Sequence, residues 1–163
     1  MDGHPEIIEV LNEVLTAELT AINQYFAHSE ICENWGYERL HQAIREHAIG
    51  EMKHAEELIA RVLYLNAMPN MARYFEIKIG TNVQEMMEYD LALETEAVER
   101  LNEFIQLAHT HKDFGSEELL EQILKDEEEH IDWIEAQLDQ INQVGIQNYL
   151  AQQIIADEEG EGV

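Results

Sequence analysis

The feature that most constrains this chain is a pattern of acidic and histidine residues that occurs twice. In each copy a lone Glu is followed 33 residues later by a Glu-x-x-His run. Residues three apart lie on one face of an α-helix, so each run presents a carboxylate and an imidazole side by side. The repeat predicts two similar helical hairpins. Its members are Glu18, Glu51 and His54 in the first copy, and Glu94, Glu127 and His130 in the second.

Composition favours one all-α domain. The chain has 163 residues, 45% of them hydrophobic, with two prolines and eight glycines. That length can enclose a sizeable core, and its many Glu, Leu, Ala and Gln residues are good helix formers. The spacing of apolar residues predicts four long helices and a short fifth, with a disordered tail after them. We expect a single domain over 1–163, helices at 5–34, 38–65, 82–110, 113–144 and 146–156, and a tail at 157–163.

All six patterned residues lie within apolar helical stripes, as Glu18 does between Leu15 and Ile22. A buried carboxylate is costly unless it is paired, neutralised or bound to metal. Any one of the six alone is most simply a satisfied polar group, but six together on four stripes favour a metal site. The midpoints of the two 33-residue intervals fall at 34–35 and 110–111, which places both sets at mid-bundle. The second midpoint also favours Asp113 as the N-cap of the fourth helix.

The link between the two hairpins is long. Residues 66–81 span ~53 Å when extended, whereas a 28-residue helix is ~42 Å long. The link can therefore run the whole length of the bundle, and such a connection is unusually long for a simple turn. We predict a long crossover between the second and third helices.

Charge and cysteine content narrow the function. The formal net charge is −26, which disfavours nucleic acid and anionic membranes as partners and attracts cations. No apolar run reaches the ~20 residues of a membrane span, and the first residues lack the pattern of a signal peptide. The single Cys32 cannot form an internal disulfide, which is compatible with a reducing compartment. We expect a cytoplasmic protein.

Several runs resemble the bacterioferritin family over essentially the full length of the chain. The most specific is Glu-Met-Lys-His-Ala-Glu at 51–56, because it combines the family's iron and haem ligands. The other runs are Leu-Thr-Ala-Ile-Asn-Gln-Tyr-Phe at 19–26, Asp-Leu-Ala-Leu-Glu at 90–94, Asp-Glu-Glu-Glu-His-Ile-Asp-Trp at 126–133 and Gln-Asn-Tyr-Leu at 147–150.

The resemblance implies a ferritin-like four-helix bundle with two irons per subunit. Glu18 and Glu94 would be terminal ligands, Glu51 and Glu127 bridges, and His54 and His130 one imidazole for each iron. Met52 from each of two subunits would bind one b-type haem at a twofold interface. The family forms a cage of twenty-four subunits that oxidises Fe(II) with dioxygen or hydrogen peroxide. It stores a ferric mineral and releases iron with the help of haem and, by analogy, a ferredoxin.

Alternatives stand beside these expectations. Without the resemblance, Met52 is a packing residue or part of an apolar dimer interface with Leu19, Phe26, Ile49 and Ile59. A soluble rubrerythrin-like oxidase or peroxidase without storage is the second functional hypothesis, although the chain has no Cys-x-x-Cys segment to supply electrons. The third is a helical interaction or DNA-protecting shell with incidental metal binding, although the net charge of −26 argues strongly against DNA.

Other residues near the pattern have two interpretations. His47 either controls iron access or fills a polar gap, and Asp90 is similarly ambiguous. Tyr25 and Trp133 are core residues or electron donors. The resemblance also contains two departures, Glu46 and Gly50, where some family members carry His and Asp, so an auxiliary inner-surface iron site would be weaker or built differently. Surface or structural roles are expected for His4, His28, His41, His109 and His111.

Overall fold

The structure is a computed structural model that describes residues 1–156 of the chain. The described residues contain no strand, and the predicted all-α fold with four long helices and a short fifth is confirmed. The helices are α1 Pro5–Asn34, α2 Glu38–Tyr64, α3 Val83–Thr110, α4 Phe114–Val144 and α5 Ile146–Ala151.

The fifth helix is shorter than predicted: it ends at Ala151, whereas the prediction placed its end at residue 156. A turn follows the helix, in which the amide of Gln153 donates to the carbonyl of Leu150, three residues earlier. The carbonyl of Gln153 then accepts from the amide of Arg39 at 3.0 Å, which directs the chain onto the start of α2. The predicted disordered tail, 157–163, lies outside the described residues.

Side chains cap three of the long helices. Asp113 is the N-cap of α4, as predicted, and its carboxylate accepts from the amide of Ser116. Asn82 caps α3 by accepting from the amide of Glu85 at 2.9 Å. His4 caps α1 by accepting from the amide two residues on. Each cap satisfies an amide that the helix itself leaves without a partner.

The predicted crossover is confirmed by hydrogen bonds between the connection from α2 to α3 and side chains of α1. Proceeding along the connection, the amide of Asn70 donates to Asn12, that of Phe75 to Thr20, and that of Gly80 to His28. The connection therefore runs along α1 from one end of the bundle to the other. As a result α2 and α3 are parallel, and each is antiparallel to the helix with which it forms a hairpin.

The core is divided into two apolar clusters, one toward each end of the bundle. One cluster contains Leu11, Leu58, Leu101 and Leu120. The other contains Tyr25, Ile44, Met86, Ile134 and their neighbours. On every long helix the patterned Glu and His residues fall between these clusters in sequence. The fold thus places its buried charge in a belt at mid-bundle. Among residues 1–156, no helix combines the length and hydrophobicity that crossing a membrane requires.

Candidate metal centre

The six patterned side chains converge at this belt as two groups of four. Within each group, one ligand atom per residue lies within 4.8 Å of all the others. Both groups contain Glu51 and Glu127, and all four carboxylates are buried, with at most 3% of the residue exposed. The first group adds Glu18 and His54, and the second adds Glu94 and His130.

The two imidazoles occupy equivalent positions. His54 Nδ1 lies 3.1 Å from Glu51 Oε2, 3.1 Å from Glu127 Oε1 and 3.5 Å from Glu18 Oε2. His130 Nδ1 lies 3.0 Å from Glu51 Oε1 and 3.6 Å from Glu94 Oε1. Each ring therefore directs one nitrogen at a shared carboxylate and at one carboxylate of its own group. This arrangement is typical of a pair of metal positions joined by two bridging carboxylates.

Several potential metal-ligand atoms at the centre of this site are buried and have no hydrogen-bond partner among the described residues. Most of them lie close to an opposite charge but are not aligned for a hydrogen bond. Buried polar atoms of this kind are rare, because each loses its hydration without compensation. Coordination to a metal would compensate them, so the donor set fits metal ions. The atoms are Glu18 Oε2, Glu51 Oε1, Glu94 Oε2, Glu127 Oε1 and His130 Nδ1.

The electrostatics of the carboxylates also indicate a site that needs positive charge. Burial, together with the nearby carboxylates, raises the pKa of Glu51 and of Glu127 well above the usual range. Burial and the charge of Glu127 raise the pKa of Glu18 to about 7. Burial alone would raise the pKa of Glu94 as well, but its contacts with Glu127 and His130 and the hydrogen bond from Tyr25 lower it to about 2.

The imidazoles respond in the opposite way. Burial alone would lower their pKa values, but the surrounding carboxylates outweigh it. Contacts with Glu51 and Glu94 raise the pKa of His130 to about 11, and those with Glu127 and Glu18 raise the pKa of His54 strongly. Without metal, the centre therefore holds protons on both imidazoles and on some of its carboxylates. Cations that bind here must displace those protons.

Comparison with known proteins identifies the family. A family model described as "Ferritin-like domain" matches residues 8–144. A bacterioferritin of Mycolicibacterium paratuberculosis is 45% identical over 152 residues, which cover 93% of this chain and 96% of the relative. The chain belongs to the bacterioferritin family. A bacterioferritin of Streptomyces coelicolor is likewise 45% identical, covering 93% and 90% of the two chains. A bacterial ferritin of Pseudomonas aeruginosa is 44% identical, covering 94% and 100%.

Two further side chains hold the candidate ligands in place. His54 Nε2 donates to Asp126 Oδ2 at 2.7 Å, which leaves Nδ1 facing the centre. Asp126 therefore takes part in the site, although its place in the acidic run 126–129 is typical of a solvated helix face with only Glu127 directed inward. Ligand histidines commonly donate their second ring nitrogen to a carboxylate, and that rule was the available signal for Asp126. On the other side, the hydroxyl of Tyr25 donates to Glu94 Oε1.

His47 lies against the second group of four. Its ring stacks on that of His130 with centroids 4.3 Å apart, and it meets Trp133 edge-on at 4.8 Å. Burial and the charge of His130 lower the pKa of His47 to about 4, so its ring is neutral at neutral pH. The stacking limits rotation of His130. Gly50 adjoins the same ring, and a methyl group there would make ordinary contact with His130 Nε2 at 3.9 Å.

Asp90 belongs to a network outside the metal centre. It accepts from Gln24 Nε2 at 2.8 Å and from His28 Nδ1 at 2.9 Å. His28 Nε2 in turn accepts from the amide of Gly80. The network attaches the end of the crossover to α1 and α3, so a structural role for His28 and Asp90 follows.

Met52 projects away from the centre, and 48% of the residue is exposed. The residues expected to accompany it, Leu19, Phe26, Ile49 and Ile59, are partly buried. Arg45 is exposed, and its guanidinium lies 5.7 Å from the ring of Phe26. Met52 is thus accessible to a ligand or to a second subunit.

Proposed function

We propose that this protein stores and detoxifies iron as a ferroxidase, oxidising Fe(II) to Fe(III) at the buried centre. The observation that carries the proposal is the pair of four-residue groups that share Glu51 and Glu127. The unsatisfied buried donor atoms of these groups support metal binding. Membership of the bacterioferritin family supports iron as the metal. A cytoplasmic location is part of the same proposal.

The position of each residue determines which iron ion it would bind. Glu18 and His54 would hold one Fe(II) ion, Glu94 and His130 the other, and Glu51 and Glu127 would bridge them. Iron is the substrate here, and dioxygen or hydrogen peroxide accepts its electrons. Carboxylates are hard ligands that stabilise Fe(III) relative to Fe(II), so four of them favour oxidation of bound iron. Asp126 fixes the orientation of His54, and Tyr25 holds Glu94 as an anion.

The centre should bind metal more tightly as the pH rises toward neutrality. The pKa of Glu18 is raised to about 7, so below that value it carries a proton that the metal must displace. We expect the affinity for Co(II), which dioxygen does not readily oxidise, to fall about tenfold for each pH unit and each displaced proton below pH 7. Titrations from pH 5.5 to 8, monitored by the visible absorbance of Co(II), test this. Glu18→Gln should reduce the slope of the profile by about one proton. The control Glu121→Gln changes an exposed carboxylate outside these ligand groups and should leave the profile unchanged. Identical profiles for Glu18→Gln and the unmodified protein would contradict it.

Met52 is proposed to bind haem, and Met52 of a second subunit would hold the same group. Its exposure on α2 and its partly buried apolar neighbours suit a flat apolar group held between two subunits. A thioether-ligated haem would supply a one-electron redox centre, and axial ligands tune its potential. We assign it the return of electrons to the mineral during iron release, with a small ferredoxin as the external donor.

Storage requires a hollow assembly, and we propose a cage of twenty-four subunits built from twofold dimers. The rival function is a rubrerythrin-like oxidase or peroxidase that works as a monomer or dimer and stores nothing. Aerobic loading with many Fe(II) ions per chain, followed by electron microscopy and light scattering, separates the two. We expect shells of uniform diameter with electron-dense cores. Particles of monomer or dimer size that precipitate iron after about two ions per chain would favour the rival.

A further inference from the structure

A second group of potential ligands lies at the end of the bundle where α1 begins and α3 ends. His4 is the N-cap of α1, Glu6 lies in the first turn of α1, and His111 is the C-cap of α3. One ligand atom of each lies within 4.8 Å of the other two. Along α3, seventeen residues separate His111 from Glu94, a distance of about 25 Å at the rise of a helix. From these contacts we propose that His4, Glu6 and His111 form a site for a divalent transition-metal ion, distinct from the buried centre.

The contacts among the three side chains bring together distant parts of the sequence. His111 Nε2 lies 3.2 Å from Glu6 Oε2, and the rings of His4 and His111 have centroids 3.9 Å apart. Hydrogen bonds fix the backbone next to His4 and at His111. The amide of Gly3, just before His4, donates to the carbonyl of Leu65 at 3.2 Å, and the amide of His111 donates to the carbonyl of Leu107. Only side-chain rotation is needed to bring the donor atoms onto one ion.

The donor types set the class of metal. Two imidazoles and one carboxylate suit Zn(II), Fe(II), Ni(II) and Cu(II) and disfavour Mg(II) and Ca(II), which prefer oxygen. In a tetrahedral zinc site with bonds of about 2.0–2.1 Å, ligand atoms lie about 3.4 Å apart, so the present separations need only a small adjustment. The Glu6 side chain is 59% exposed and that of His111 23%, so an ion can arrive from solvent and water can complete its coordination.

Metal binding here competes with a helix cap. The amide of Glu6 donates to His4 Nδ1 at 3.2 Å, so in a neutral ring the other nitrogen carries the proton. The lone pair that a metal needs is the one that caps α1. A bound ion therefore replaces this hydrogen bond with a link between the start of α1 and the turn that joins α3 to α4. The formal net charge of −26 favours the arrival of the cation.

Anomalous diffraction locates such an ion directly. Crystals of the iron-free protein equilibrated with Zn(II) should give a zinc-edge peak about 2.0–2.2 Å from a nitrogen of His4, a nitrogen of His111 and an oxygen of Glu6. A peak on only one of the two histidines, or no peak at this end of the bundle, overturns the proposal. Zinc at the buried centre is a separate peak, so the two proposals succeed or fail independently.

Equilibrium dialysis against Zn(II) gives the matching result in solution. His111→Gln and Glu6→Gln should each bind one zinc ion fewer per chain than the unmodified protein. The control is His109→Gln, which removes a neighbouring imidazole that is 61% exposed and pairs with Glu117. It should bind as much zinc as the unmodified protein. Unchanged binding in both His111→Gln and Glu6→Gln, or an equal loss in His109→Gln, contradicts the site.

Discussion

Replacing Glu127 with Ala should abolish rapid iron oxidation. Glu127 belongs to both groups of four, so its loss removes a ligand from each metal position and one of the two bridges. Residues that merely orient metal ligands typically change affinity or activity by 10–100-fold, and a shared ligand should matter more. We expect the initial rate of Fe(II) oxidation to fall at least ~100-fold, measured by the ultraviolet absorbance of the ferric product.

The matched control is Glu129→Ala, which removes an exposed carboxylate two residues further along α4. It should oxidise iron at the unmodified rate, which separates ligand loss from a change in overall charge. Glu127→Gln keeps the shape of the side chain and should be as inactive as the Ala variant. Because this buried carboxyl has a raised pKa, its neutral replacement should also leave the iron-free protein at least as stable. A Gln variant with near-normal rates would show that Glu127 is not a ligand.

Replacing Met52 with Leu should eliminate haem binding while leaving iron oxidation intact. Leu has nearly the volume of Met but no sulfur, so the apolar surface is retained and the axial ligand is lost. We expect haem content, measured by the Soret absorbance per chain, to fall from about one haem per two chains to near zero. The oxidation rate should stay within about twofold, because Met52 points away from the buried centre.

The control for this experiment is Met68→Leu, since Met68 is 79% exposed and lies on the crossover connection. Its haem content should match that of the unmodified protein. If Met52→Leu still binds haem at the same ratio with an unchanged spectrum, Met52 is not the axial ligand. The apolar dimer interface would then be the better explanation of this surface.

Much of the architecture could be predicted from local patterns. The 33-residue spacing and the apolar stripes brought the six patterned residues to matching heights, because helical hairpins convert sequence position into axial position. The midpoint of the second hairpin selected Asp113 as the cap of α4 for the same reason. The length of the connection predicted the crossover, since residues 66–81, when extended, reach ~53 Å and a 28-residue helix is only ~42 Å long.

What the sequence did not reveal depends on contacts between distant segments. The chain just after α5 is held by a hydrogen bond from the amide of Arg39 to the carbonyl of Gln153, more than a hundred residues later. Asp126 looked solvated because it sits beside Glu127 on an acidic run, and only the position of His54 on another helix gives it a partner. His4 and His111 each looked like isolated surface residues, and the contact between their rings follows from how the two hairpins dock.

The most direct test of the buried centre is the stoichiometry of rapid Fe(II) oxidation by the iron-free protein. Increasing amounts of Fe(II) are added under air, or anaerobically with hydrogen peroxide, and the amplitude of the fast ultraviolet phase is recorded. Two groups of four ligands predict that this amplitude saturates at two iron ions per chain. A slow phase alone, at the rate of iron in buffer, or saturation at one ion per chain would contradict a two-iron ferroxidase centre.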